Sequence, residues 1–330
     1  MPISVDSQAL LLLCTHLGLP ADPDPAPLTL RDWNPLARKL QAAALRPGDL
    51  LGFGQADLQS RLGLSAEEAV RLARLMERSG ALAIALERLE SLGIHALTRA
   101  ESDYPARYRQ RLKDAAPAVL FYAGDKALLG QKGIAVVGSR HLDEEGKQCA
   151  EFVGEACGLS GLVLYSGGAK GVDTISMKAS LTARGCAAGI LADSLEKAIR
   201  DQGWRPALQH DNLCLVTPYA PSAGFSVGAA MGRNRLIYTL ADYAVVVASD
   251  AETGGTWAGA TEALKNAWLP VFVLEHPAMS EGNRLLLQRG GLALPQEQLR
   301  KPKDLEGWLA AQAAQAAPPK PRPAQLGLFS

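Results

Sequence analysis

The chain has little of what staples small secreted proteins or ligates metals. Its five cysteines (Cys14, Cys149, Cys157, Cys186, Cys214) form no CxxC pair and are odd in number. That weighs against a disulfide framework or a zinc ribbon, and they read as reduced core thiols. His16, His95, His141, His210 and His276 are scattered without ligand spacing, so no metal is expected. The apolar run Ala9-Leu10-Leu11-Leu12-Leu13 falls well short of the ~20 residues that span a bilayer. It has neither a basic n-region nor a small-residue cleavage site, so no signal peptide or membrane association is expected, and the chain reads as cytoplasmic. Net charge is missing too, with Lys+Arg and Asp+Glu both totalling 34. A nucleic-acid binder with this balance must gather its cations locally.

Two nucleotide signatures are also missing. Gly138-Ser139-Arg140 lacks the second and third glycines of GxGxxG, and no acidic residue ends the following strand to hold a ribose. Lys170 follows Ala169 and is not followed by Ser or Thr, so there is no Walker A loop. Hydride transfer and ATP hydrolysis are therefore not expected. Asp173, Asp250, Glu252 and Glu262 are candidate carboxylates, but no nucleophile–base pair accompanies them, and neither a catalytic residue nor a cofactor is expected. Asp173 is expected to cap the helix that follows it.

The composition that remains, 48% hydrophobic and 21% charged over 330 residues, is that of a soluble globular protein with room for two domains. Residues 1–95 read as a small helical domain. Ser65 with Glu68 makes a capping box, and Val70, Leu72, Leu75 and Met76 recur near helical spacing. From 96 to 300, apolar strands alternate with helices, at Ile134–Val137, Leu162–Tyr165, Ala187–Leu191, Leu213–Thr217, Tyr243–Ser249 and Val271–Glu275. This alternation predicts an α/β fold, a Rossmann-like, doubly wound, mostly parallel sheet. Residues 301–317 form a helical segment. Residues 318–330 are a proline-rich tail, Pro318 to Pro323, ending in apolar residues that suit a docking peptide.

Two consecutive strand-to-helix turns are rich in small residues, hydroxyls and a cation each. The first is Gly138-Ser139-Arg140; the second is Ser166-Gly167-Gly168-Ala169-Lys170-Gly171. Glycine lets backbone N–H groups approach a ligand, and helix N-termini attract anions, so the pair predicts a phosphate-binding cleft. Arg233-Asn234-Arg235 is expected at the start of, or just inside, a helix on the same rim, with two forked cations and an amide. Gly254-Gly255-Thr256 adds a further anion-friendly helix start, and the adjacent Trp257 reads as packing beneath that turn.

In fixed order, these motifs resemble the DNA-processing protein A (DprA/Smf) family. Gly138-Ser139-Arg140 matches its Gly-Ser-Arg, and Ser166 to Asp173 is similar to its Ser-Gly-Leu-Ala-Arg-Gly-Ile-Asp. Arg233-Asn234-Arg235 matches its Arg-Asn-Arg, and Gly282-Asn283-Arg284-Leu285-Leu286 with Gly290 resembles its late Gly-Asn motif. Asp103-Tyr104-Pro105 and Val119 to Asp125 resemble its lead-in, so the likeness covers about residues 96–295. The resemblance implies a domain that binds single-stranded DNA without hydrolysing it. It further implies DNA protection, loading of a RecA-type recombinase, a role in DNA uptake or natural transformation, and a homodimer.

There are departures from the family pattern. Met177 stands where the family has a His, and Ala230-Met231-Gly232 stands where it has Phe-Pro before Arg-Asn-Arg. Thr217-Pro218 replaces a Ser-Glu, and Glu275-His276 replaces a Pro-Gly. The short tail is expected to stand where many relatives carry a winged helix. Within that tail, Gln325, Leu326, Leu328 and Phe329 resemble the Gln-Leu-x-Leu-Phe peptide that docks on the DNA polymerase sliding clamp. Two other classes compete with this reading. One is a phosphoribohydrolase of the "lonely guy" type, whose Pro-Gly-Gly-x-Gly-Thr-x-x-Glu motif is not met because Trp257, Ala258 and Thr261 occupy its Gly, Thr and Glu places. The other is a nucleotide-sensing adaptor acting through its tail.

Overall fold

The five helices that lead the chain are α1 (Val5–Cys14), α2 (Leu30–Ala42), α3 (Gln55–Leu62), α4 (Ala66–Met76) and α5 (Ser79–Ser91). The protein is described by a computed structural model over residues 3–316, so Gln325, Leu326, Leu328 and Phe329 lie outside the described residues. The capping box of α4 forms: the Glu68 N–H donates to Ser65 Oγ at 3.1 Å, and the Ser65 N–H donates to the Glu68 carboxylate at 2.8 Å. Leu10 to Leu13 are wholly buried and share one apolar cluster with Phe121, Ile134 and Leu164 of the sheet. The apolar run is therefore a core helix. Arg78 fixes its end by donating to the carbonyl oxygens of Leu12, Thr15 and Leu17.

The sheet has nine strands. They are β1 (His95–Thr98), β2 (Val119–Gly124), β3 (Gly133–Val137), β4 (Val163–Ser166), β5 (Ala187–Ile190), β6 (Leu213–Thr217), β7 (Tyr243–Val246), β8 (Val271–Glu275) and β9 (Leu292–Pro295). Their order is β1-β2-β6-β5-β4-β3-β7-β8-β9. Strands β3 to β9 are parallel, and β2 runs antiparallel to both β1 and β6. Between strands lie α6 (Ala106–Leu112), α7 (Glu144–Ser160), α8 (Val172–Thr182), α9 (Leu195–Ala198), α10 (Arg205–Gln209), α11 (Val227–Leu240), α12 (Gly254–Asn266) and α13 (Glu281–Gln288). The helix α14 (Leu305–Ala316) follows β9.

This is the expected doubly wound, mostly parallel α/β sheet. The chain steps outward from β3 to β6, then returns to place β7 on the other side of β3. Side chains alternate as a pleated strand requires. Ile134 and Val136 join the cluster that contains the buried side of α7, whereas Ala135 and Val137 join the cluster that contains α11 and α12. The edge strands β1 and β9, four residues each, were not anticipated. Neither stretch shows the long apolar run that marks the buried central strands.

Candidate functional site

The reversal of strand order puts a crevice beyond the carboxyl ends of β3 and β7, where ligands bind in such sheets. A cleft of about 340 Å³ occupies this position, lined by the turns after β3 and β7 and by α11. Register explains why the turns meet: Val137 pairs with Val246, and Ala135 pairs with Tyr165. The Ser139 N–H donates to the Ala248 carbonyl at 2.8 Å, and Ser166 Oγ donates to the Val136 carbonyl at 2.6 Å. Gly138, Ser139 and Arg140 are thus tied to both neighbouring strands. The Ser139 hydroxyl donates locally to the His141 carbonyl at 3.0 Å.

The turn from Ser166 to Gly171 behaves differently from the expectation of an open anion cradle. Two N–H groups in the first turn of its helix, α8, are already satisfied: Val172 N–H donates to the Ser139 carbonyl of the turn after β3, and Thr174 N–H to the Ala169 carbonyl. Gly171 has φ +86°, and a Cβ there would lie 2.7 Å from Arg140 Cα. The two turns are therefore pressed together, with Gly167 and Ser166 buried, Gly168 half-buried and only Lys170 fully exposed among their polar residues after β4.

Asp173 does not cap α8. Gly171 holds that position, and Asp173 is the second helical residue. Its Oδ2 accepts the Gly167 N–H at 3.2 Å and lies 3.8 Å from Arg233 Nη1. Both side chains are nearly buried. Burial raises the Asp173 carboxyl above its ordinary range, against the pull of Arg233. Burial likewise lowers the Arg233 guanidinium, against the pull of Asp173. Arg233 lines the cleft, but its charge is committed inward.

Arg233-Asn234-Arg235 lies in the second turn of α11, deeper than a helix start. The N-cap of α11 is Ser226, whose hydroxyl accepts from the Ala229 N–H. Asn234 Nδ2 donates to the Gly255 carbonyl at 3.0 Å and so clamps α11 to the first turn of α12. Arg235 is half-buried, with Nη2 3.5 Å from the Glu262 carboxylate.

The open helix terminus is that of α12. Thr253 places no side-chain cap on its first turn, and the N–H groups of Gly254, Gly255 and Thr256 find no acceptor among the described residues. By contrast α7, α11 and α13 are capped by Asp143, Ser226 and Ser280. An uncapped terminus facing a cleft is suited to an anion. Trp257 is buried under this turn, as expected, with the Arg289 guanidinium 5.0 Å above its ring.

The sequence reading missed an apolar rim. Phe225, Val227 and Met231 line the cleft and are 49%, 72% and 44% exposed. The Arg140 guanidinium lies 5.2 Å from the Phe225 ring centroid. The available signal was an aromatic residue, Phe225, beside the N-cap Ser226 in the Pro/Ser/Gly-rich loop between β6 and α11. Cation, aromatic face and open N–H groups together suit a phosphate followed by a base. Thr261, where a hydrolase of the competing type needs a carboxylate, spends its hydroxyl on the Trp257 carbonyl at 2.8 Å. No group of three or more potential metal-ligating side chains occurs among the described residues. Burial pushes the Cys157 thiol up to about 12.

A model of the DNA recombination-mediator protein A family matches residues 95–301, more than half of the chain. The chain belongs to that family. It is 29% identical over 167 residues to the DNA processing protein DprA of Bacillus subtilis (strain 168), covering 49% of this chain and 54% of the relative. It is 30% identical over 186 residues to the DprA of Streptococcus pneumoniae (strain ATCC BAA-255 / R6), covering 53% of this chain and 62% of the relative. The chain thus spans less than two thirds of the length of these relatives. Among solved structures, the X-ray structure of S. pneumoniae DprA superposes with a TM-score of 0.66 at 19% identity, over 91% of this chain and 97% of that one. The Helicobacter pylori DprA, described for its single-stranded DNA binding mode, gives 0.55 at 24% identity, over 66% and 96%. These likenesses are of fold. Met177 is buried in the core. No helix among the described residues is long and apolar enough to cross a membrane.

Proposed function

We propose that the chain binds single-stranded DNA, without hydrolysing it, across the cleft between β3 and β7. The observation that carries this is the open N-terminus of α12 facing Arg140 and the exposed Phe225 across one cleft. Phosphates would lie on the N–H groups of Gly254, Gly255 and Thr256 and on Arg140 and Lys170, with bases against the apolar rim. Gly138, Ser139, Ser166, Gly167, Gly168 and Gly171 shape the turns, while Arg233 and Asn234 position them. The half-buried Arg235 adds positive potential at the rim.

The H. pylori relative described as binding single-stranded DNA supports this reading, as does family membership. On the same grounds we infer a homodimeric recombination mediator in the cytoplasm that hands strands to a RecA-type recombinase during DNA uptake or repair. The tail peptide, Gln325 to Phe329, would tether it to the sliding clamp. Titration with a single-stranded oligonucleotide at several salt concentrations tests the central claim. Binding should weaken along a log–log line whose slope counts the phosphate contacts. Absence of binding at low salt, or release of free base from a nucleotide monophosphate, would overturn it.

A further inference from the structure

A second cavity is larger than the cleft and shares with the site above only Arg235, which faces it from α11. It measures about 870 Å³ and lies between the helical layer and the sheet, beyond the carboxyl end of β6 and the start of β2. Phe121 of β2 pairs with Thr217 of β6, so this mouth opens on the same sheet edge as the cleft. Strand order places β6 three strands from β3, a distance of about 15 Å along that edge.

Two elements join the openings. The loop from β6 to α11 lines the cavity with Pro218 and Tyr219 and the cleft with Phe225. Helix α11 presents Arg233 and Asn234 to the cleft, and Gly232, Arg235 and Leu236 to the cavity. The exposed Lys170 projects from the turn after β4, the first of the three strands on that path.

The lining suits a single strand. Tyr219, Leu17 and Leu19 offer apolar faces, and Arg88 of α5 stands at the mouth with its side chain 65% exposed. Arg88 reaches Glu196 of α9 at 3.1 Å, so one carboxylate offsets the cation where the two layers meet. An aromatic face such as Tyr219, with cations beside it, is how sequence-tolerant single-strand channels stack bases along a charged groove, and the leucines add apolar contact.

We propose that this cavity carries the continuation of the strand held in the cleft, so that the N-terminal helices form one wall of the nucleic-acid path. The proposal rests on the single-strand reading of the cleft. It assigns the helical layer a direct role, lengthening the footprint from the β3–β7 crevice to the β6–β2 end of the sheet. The charge of Glu196 opposes the strand there, and its removal strengthens the hold.

The test is fluorescence anisotropy on the full chain with oligonucleotides from about 4 to about 16 nucleotides. Ala85→Trp fills the cavity from α5, where Ala85 is a half-buried wall residue. It should weaken the longest oligonucleotide about tenfold and leave the shortest unchanged. Glu196→Gln should strengthen the longest severalfold, again sparing the shortest, and Arg88→Glu should do the reverse. The two charge variants lie at the mouth and keep the test decisive if the bulky one fails to fold. Equal effects on short and long oligonucleotides, or none on either, overturn the proposal. A parent protein that holds the shortest oligonucleotide while all three variants match it on the longest overturns this inference alone. A parent that holds neither overturns the cleft reading as well.

Discussion

Arg233 Nη1 lies 3.8 Å from Asp173 Oδ2, and the same carboxylate oxygen accepts the Gly167 N–H at 3.2 Å. A residue of α11 on one face of the sheet is thereby joined to the turn that ends β4 and to the start of α8 on the other. The Arg233-Asn234-Arg235 segment and the turn that ends in Asp173 meet as a buried ion pair. Its partners are spent on shaping the site, which leaves Arg140 and Lys170 as the exposed cations of the two turns.

Losing Asp173 should therefore cost stability more than surface charge. Asp173→Ala strands the Arg233 guanidinium in a buried place, and such uncompensated charges cost about 3–5 kcal/mol. Urea unfolding of the variant should show a matching fall in midpoint at unchanged slope.

The pH dependence carries a sign. Burial holds the folded Asp173 carboxyl above its ordinary value of 3.8, so folding binds its proton more tightly. Its contribution is complete below the ordinary value and is lost as pH rises through the raised one. Arg233→Met removes the charge that opposes this rise. Its stability should fall more steeply than the parent's as pH rises above the ordinary carboxyl value, read from unfolding midpoints at each pH.

Gly167→Ala should mimic loss of the pair. A Cβ at Gly167 would fall on the Arg233 guanidinium and 2.6 Å from Asp173 Oδ2. Overpacking of this kind costs about 1–3 kcal/mol. We expect a lowered melting temperature together with weaker oligonucleotide binding, because the turns after β3 and β4 are packed on one another.

Charge removal at the rim should act on binding alone. In Arg140→Ala and Lys170→Ala, each lost phosphate contact should flatten the single-strand salt dependence by about 0.7 log–log units. A folded double variant with unchanged affinity and slope would remove the cleft from consideration.

Truncation after Pro323 should abolish association with purified sliding clamp while leaving single-stranded DNA affinity intact. A short peptide buries little area and loses freedom on binding, so the parent should bind in the micromolar range, on the order of −8 kcal/mol or weaker. Identical behaviour of the parent and the truncation toward the clamp would rule out the tether.

Much of the fold was readable because its central strands are buried on both faces. Ile134 to Val137 and Leu213 to Val216 are continuous apolar runs, and such runs alternating with helical segments announce a parallel sheet. Ser65 with Glu68 likewise announced its helix, since a capping box is closed by residues three apart. The edge strands β1 and β9 were not readable. Each is short and half-covered, and is made a strand by pairing with β2 or β8.

The site divides the same way. Local sequence identified Gly138-Ser139-Arg140 and Gly254-Gly255-Thr256, because small residues beside a helix start are a property of a few consecutive positions. Tertiary structure alone decided which cations face outward. Arg233 and Arg235 are two residues apart, and one is buried against Asp173 while the other is half-exposed beside Glu262. Asp173 had the sequence of a cap and became an ion-pair partner; Phe225 had the sequence of a loop residue and became the far wall of the cleft. The reason is physical. Backbone preferences act over a few residues, whereas burial of a charge depends on what the reversal of strand order brings against it.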